Sequence, residues 1–261
     1  MDHVTLDVTD GVARVTLDHP DMRNALTSAV ATDLIAAMDE VPDDARCVVV
    51  GGNGPTFCAG GDVDAMVEGL DGEEPAYDRV QRIVEETAGA VRAVATCDLP
   101  TVAKIHGPAY GAGGALAVAC DVLLASESAS ISFGFRQVGL NADSGASYFL
   151  PRLVGEHVAK ELLFTGELID AERAAEVGLF NHVYPDEEFD QRVAAMVERI
   201  ASGPTVALEQ SKRLVEQGLA SSLNEAIENE AAAQIVSAST DDHEEGVRAF
   251  TDGREPEFEG E

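Results

Sequence analysis

Apolar and polar residues alternate along Val4–Val8 and again along Val12–Leu17, separated by Thr9-Asp10-Gly11. A period of two around a glycine turn predicts a β-hairpin. The period then lengthens: Ala31, Leu34, Ile35 and Met38 share one face of a helix that Thr27 can cap and that runs to about Val41. Arg46–Val50 is an unbroken, largely β-branched run, the pattern of a strand buried on both faces. It empties into Gly51-Gly52-Asn53-Gly54-Pro55, a long loop of the kind that carries catalytic groups. An exposed, mobile Asp71–Glu74 and a helix over Ala76–Ala95 are expected next. Thr101–Ile105 reads as a strand, Gly111–Ala119 as a helix start, and Val122–Ala125 and Ser130–Phe133 as further strands.

From Asp143 onward the pattern is helical except for a short apolar segment near Phe180–Tyr184. Gly203-Pro204 marks a break before three helices, Pro204–Gln217, Ser222–Val236 and Asp241–Phe250. Strands alternating with helices, then helices alone, predict an α/β core over residues 1–202 carrying a helical C-terminal region over residues 203–261. With 261 residues and 45% hydrophobic content, one main core is expected. No apolar run approaches the roughly 20 residues that cross a bilayer, and Met1-Asp2-His3-Val4 opens without a basic, apolar leader. A cytoplasmic protein without a membrane partner is the expectation.

Charge narrows the partners. The net charge is −31, and Lys104, Lys160 and Lys212 are the only lysines set against 48 acids, so nucleic acid and anionic lipid would be repelled. The acids are spread over the whole chain, which suits a solvated acidic surface of a salt-loving protein better than an acidic interaction module. Cys47, Cys58, Cys97 and Cys120 lie far apart with no zinc-ligand spacing, so they read as reduced core thiols and no metal site is expected.

Two glycine-rich turns each follow a strand. Gly52–Val63 lacks the Gly-Lys-Ser/Thr ending of a nucleotide-hydrolysing loop, and His106–Gly114 does not fit a dinucleotide fingerprint because Leu116 takes the last glycine slot. Both turns can bare backbone amides, and two such donors could hold one oxyanion. The alternative is that the glycines serve only tight turns and close packing.

Asn24-Ala25-Leu26, Phe57-Cys58-Ala59-Gly60-Gly61-Asp62, Gly107-Pro108-Ala109-Tyr110-Gly111-Ala112-Gly113-Gly114, Cys120-Asp121, Leu150-Pro151-Arg152-Leu153-Val154-Gly155 and the tail Glu245–Phe250 occur in this order. In order and spacing they resemble the enoyl-CoA hydratase/isomerase (crotonase) superfamily over nearly the whole chain. The resemblance implies an α/β, crotonase-like spiral of repeated ββα units, and a helical C-terminal region that assembles homotrimers, often stacked as hexamers. It also implies an acyl-CoA thioester substrate whose coenzyme A is part of the substrate, with no separate cofactor. The thioester oxygen would rest on the amides of Gly61 and Ala112. Ala112 replaces a more usual glycine, which is tolerable where φ is negative. By the same carry-over Ala25, Leu26, Ala59, Asp62 and Val63 would line the CoA arm and Phe250 would touch an adenine, whereas Asp62 and Asp121 also suit plain loop-fixing acceptors.

The two glutamates of hydratases in this superfamily fall on Ala115 and Phe135, neither of which can move a proton. The acid that remains is Asp143. Its position before a helix suits an N-cap, but the resemblance makes it the single catalytic carboxylate of an isomerase, aided by an apolar lining of Phe135 with Phe133 and Phe149. An enoyl-CoA isomerase shifting a Δ3 double bond to Δ2, or performing the related ring isomerisation of phenylacetate breakdown, is the leading expectation. Alternatives are an enoyl-CoA hydratase of fatty-acid β-oxidation with a second acid from Asp64–Glu74, and a non-catalytic acyl-CoA-binding protein or scaffold. A dehalogenase of the superfamily would need a tryptophan, and the chain has none. His19, His106, His157 and His182 read as structural.

Overall fold

Asp10 and Gly11 take positive φ, 52° and 72°, and so close the turn between β1 (Val4–Thr9) and β2 (Val12–Leu17), which pair antiparallel with Val4 opposite Leu17. The computed structural model describes residues 1–70 and 74–261. Asp71, Gly72 and Glu73, within the segment expected to be exposed, lie outside the described residues; Glu74 is exposed and bonded to Arg82.

β2 continues in parallel to β3 (Cys47–Gly52), β4 (Thr101–Ile105), β6 (Val122–Ser126) and β9 (His182–Tyr184), giving a six-stranded sheet in the order β1-β2-β3-β4-β6-β9. Parallel neighbours need crossovers, and the crossovers cover both faces, which is why β3 is buried on both sides. One face, with Ala13, Val15, Val48, Val50, Ala103 and Ile105, joins the main core. The other, with Val12, Cys47, Val49, Val102 and Leu124, packs under α8 (Phe189–Ala201). A second, three-stranded sheet orders β5 (Pro108–Tyr110), β7 (Ser130–Ser132) and β8 (Ile169–Asp170). The sequence pattern did not predict β5 or β8; strands of two or three residues carry too little alternation to be read, and their partners are distant in the chain.

Helix α1 (Ser28–Asp39) starts where expected, with the Thr27 hydroxyl accepting from Val30 N at 3.2 Å. The helix predicted over Ala76–Ala95 is two, α3 (Ala76–Glu85) and α4 (Thr87–Ala95), broken at Glu86 (φ −92°, ψ −93°). Their duties differ: α4 buries Ala90, Val91 and Val94 against α1, whereas α3 buries no residue. After α5 (Ala112–Val118), α6 (Ala146–Thr165) is divided at Gly155, and α7 (Ala171–Glu176) leads toward β9. The C-terminal helices are α9 (Thr205–Gly218), α10 (Leu223–Ser237, with a capping box from Ser222 and Glu225) and α11 (Asp241–Asp252). Arg46 ties this region to the sheet by donating to the Gly203 and Phe258 carbonyls and to the Thr205 hydroxyl.

Among the described residues no helix is long and apolar enough to cross a membrane, and no group of three or more His, Cys, Asp or Glu side chains is arranged to hold a metal ion. The four cysteines are free; burial pushes the thiols of Cys47 and Cys58 up to about 12, so they are unreactive core groups.

Candidate active site

The first glycine turn is threaded between two segments. On one side Ala59 N donates to Arg23 O at 3.0 Å and Leu26 N donates to Gly60 O at 2.7 Å. On the other, Cys58 N donates to Pro108 O at 3.2 Å and Tyr110 N to Cys58 O at 2.9 Å, so the turn runs alongside β5 and the second glycine turn. Glycine is required where they meet. Gly60 has φ +92°, and a Cβ there would collide with the Tyr110 carbonyl oxygen and lie 3.3 Å from Ala112 N; a Cβ at Gly113 would strike the Cys58 carbonyl.

Peptide planarity then sets the direction of the two amides, because a carbonyl and the N–H that follows it point opposite ways in a trans peptide. The Gly60 carbonyl faces Leu26 N, so Gly61 N–H is turned away from residues 23–26. The Gly111 carbonyl accepts from Ala115 N at 3.0 Å as the first bond of α5, so Ala112 N–H points out of the helix start. Among the described residues neither N–H donates to a protein acceptor. Ala112 is absent from the positive-φ positions, so its methyl group causes no backbone strain.

Phe135 is buried, with a ring carbon 4.0 Å from where a Cβ at Gly111 would stand, and Gly134 lies directly under the Tyr110 ring. The chain then turns back through a Leu140 N to Phe135 O bond of 3.0 Å and reaches Asp143 just before α6, which packs against α5. Asp143 does not cap α6. Its main-chain carbonyl accepts from Ala146 N at 2.9 Å, but its side chain makes no capping bond, and Gly145 stands at the cap position. Asp143 Oδ1 and Ser144 Oγ are two of only three buried side-chain polar atoms without a hydrogen-bond partner among the described residues; His19 Nδ1 is the third. Burial holds the Asp143 carboxyl above the usual carboxylate range, with the Ser144 hydroxyl opposing part of that rise. Ser144, which the sequence reading passed over, is buried at φ +49°, a conformation that costs about 1–3 kcal/mol and that surrounding structure must impose. The Asp-Ser-Gly run was its only signal.

The other candidates separate by environment. Ala25 and Leu26 are buried, so their contribution to any ligand surface falls mainly to the main chain; Ala59 and Asp62 are half-buried and Val63 is exposed. Asp62 Oδ1 accepts from Ala65 N at 3.1 Å, and Asp121 accepts from Thr101 N and Oγ1 and pairs with Lys212 at 2.8 Å, so both act as loop-fixing acceptors. Ala115 and Phe133 are core residues, and Phe149 packs its ring over Gly145. Asp64 and Glu68, on α2 (Val63–Leu70), and Glu74 are exposed, so none of these three supplies a second buried acid. Phe250 is not brought to this place: it stands 89% exposed on α11, in a cleft of about 610 Å³ between α9, α10 and α11. His106 bonds the Gly54 carbonyl through Nε2 at 2.7 Å, and His182 stacks on Tyr184, both structural arrangements.

The enoyl-CoA hydratase/isomerase family model matches residues 7–261. A relative from Rhodobacter capsulatus described as a probable enoyl-CoA hydratase is 36% identical, covering 98% of this chain and 98% of its own. A 1,2-epoxyphenylacetyl-CoA isomerase of Escherichia coli K12 is 29% identical, covering 100% and 99%. The crystal structure of an enoyl-CoA hydratase/isomerase from Cupriavidus metallidurans superposes with a TM-score of 0.90 at 31% identity, covering 100% of this chain and 97% of that one. The mixed α/β architecture with its helical C-terminal region thus agrees with a sequence match that runs nearly end to end, and the chain belongs to the enoyl-CoA hydratase/isomerase (crotonase) family of enzymes.

Proposed function

We propose that this enzyme is an enoyl-CoA isomerase that moves a double bond from the 3- to the 2-position of an acyl-CoA thioester. The observation that carries the reading is Asp143: a half-buried carboxylate with one buried, unpartnered oxygen, raised basicity and no capping duty, while Ala115 and Phe135 stand apolar where a hydratase would need glutamates. The Gly61 and Ala112 amides take the thioester oxygen and stabilise the enolate, an interaction worth about 2.7–4 kcal/mol of barrier per donor. Asp143 removes a proton from C2 and returns it at C4, adding about 10²–10⁴-fold. One carboxylate suffices because the proton leaves and re-enters on the same group. An apolar wall that includes Phe135 keeps water from the enolate, which favours proton return over hydration.

The chemistry needs no cofactor beyond the coenzyme A of the substrate. Exposed Val215, Leu223, Ile227, Ile235, Val247 and Phe250 on α9–α11 support a homotrimer, singly or stacked as a hexamer, that covers this apolar surface. A hydratase is the second reading, favoured by the description of the Rhodobacter relative; ring isomerisation of an epoxide-derived phenylacetyl thioester is a variant favoured by that of the Escherichia relative. Purified protein at high salt, given a 3-enoyl-CoA and separately crotonyl-CoA, decides between them. Conjugation of the first without loss of the second is the expected result; rapid hydration of crotonyl-CoA without isomerisation refutes the isomerase.

A further inference from the structure

We infer that Asn24 is a positioning residue for the oxyanion amides, acting through the main chain rather than touching substrate. The inference rests on the reading of Gly61 and Ala112 as the thioester-oxygen donors. Asn24 is fully buried and holds φ +55°, next to Arg23 at φ +52°. Two consecutive non-glycine residues in the left-handed region cost free energy that something must return. The return is a carboxamide bonded through both its oxygen and its nitrogen. Its Oδ1 accepts from His19 N at 2.9 Å, and its Nδ2 donates to Asn53 O at 2.9 Å and to Thr56 O at 2.8 Å, with Phe57 O at 3.3 Å.

These three carbonyls belong to the segment that leads into the first glycine turn. Gly52 lacks a side chain where the carboxamide enters: a Cβ there would stand 2.8 Å from Asn24 Nδ2 and 2.7 Å from Thr56 O. Beyond Phe57 the chain is gripped again by Arg23 O and Leu26 N, the two residues that flank Asn24 and its neighbour Ala25. The short run 23–26 therefore holds both ends of the stretch 53–60, with the side chain at its entrance and the main chain at Ala59 and Gly60. The Gly60 bond to Leu26 is the one that aims Gly61 N–H, so releasing the entrance frees the peptide that carries the donor.

Asn24→Gly keeps the left-handed backbone and deletes the carboxamide; Asn24→Asp keeps its shape and its acceptor but removes the N–H donors, and serves if the glycine variant does not fold. The probe is the coenzyme A thioester of cinnamic acid, whose absorption moves to longer wavelength when its carbonyl oxygen accepts strong hydrogen bonds. Wild-type protein should bind it with such a shift. A folded variant should bind it within about threefold of wild type, lose most of the shift, and turn over a 3-enoyl-CoA with kcat lowered about 10–100-fold and KM little changed, since misplacing one oxyanion donor sacrifices part of its contribution. A variant with the full shift and wild-type kcat overturns the proposal, as does one that loses affinity while keeping the shift. A wild-type protein that binds the probe with no shift fails at the oxyanion reading itself, a different outcome from the other two.

Discussion

Replacing Asp143 with asparagine exchanges one oxygen for an NH2 group at nearly constant volume, in a side chain reached by no ion pair and bonded to no helix end. Loss of a cap, which typically costs about 0.5–2 kcal/mol, therefore does not enter. What changes is charge. Burial raises the carboxyl above its unfolded value, so the folded chain binds the extra proton; the ionised group opposes folding increasingly as pH rises through that window, and the penalty is fully present above it. Asp143→Asn should accordingly be as stable as wild type or more stable at neutral pH, with the two melting curves converging below the ordinary carboxylate range. Catalysis should fall about 10²–10⁴-fold, roughly 2.7–5.5 kcal/mol of barrier, with binding of a saturated acyl-CoA unchanged. The assay pairs thermal melts across pH with conversion of a 3-enoyl-CoA to its conjugated isomer. Wild-type turnover, or a clear loss of stability at neutral pH, would refute the description of Asp143 as a base with an unpartnered oxygen.

For the unmodified enzyme, kcat/KM should decline on the acid side with a midpoint above about 3.9, the model-peptide value for aspartate, because only the deprotonated base reacts; a midpoint at or below that value contradicts the effect of burial. Gly60→Ala forces a methyl group onto the Tyr110 carbonyl at φ +92° and should cost about 1–3 kcal/mol in a denaturant titration while nearly abolishing turnover. Thr27→Ala removes the bond to Val30 N and should lower stability by about 1 kcal/mol with no change in kcat. With a charge of −31, the melting temperature should rise substantially between about 0.1 M and 1 M salt, where the screening length shrinks from about 10 Å to about 3 Å; equal values would show that self-repulsion is unimportant.

Much of the scaffold was legible because it rests on local patterns. The β1–β2 hairpin, the Thr27 cap, the doubly buried β3 and the C-terminal helices depend on periods and turn residues within a few positions of each other. The break at Glu86 and the short strands β5 and β8 were not legible, since each is decided by which distant surface the segment packs on. The pairing of the glycine turns on one oxyanion and the catalytic role of Asp143 were implied by the family resemblance of the motifs, since local pattern alone also suits tight turns and a helix cap.

What the chain's order of residues determined by itself is a supply of parts: two glycine-rich turns that each follow a strand, an aspartate at position 143 ahead of a helical segment, and an excess of acids spread over the chain. Tertiary structure alone decided their use. Whether Asp143 caps a helix or keeps an unpartnered oxygen depends on a backbone turn through Ser144 and Gly145, and whether Gly61 N–H is free depends on Leu26 taking the Gly60 carbonyl. A hydrogen bond between residues thirty-four apart leaves no trace in local periodicity, because its free energy is gained only once the segments between have packed.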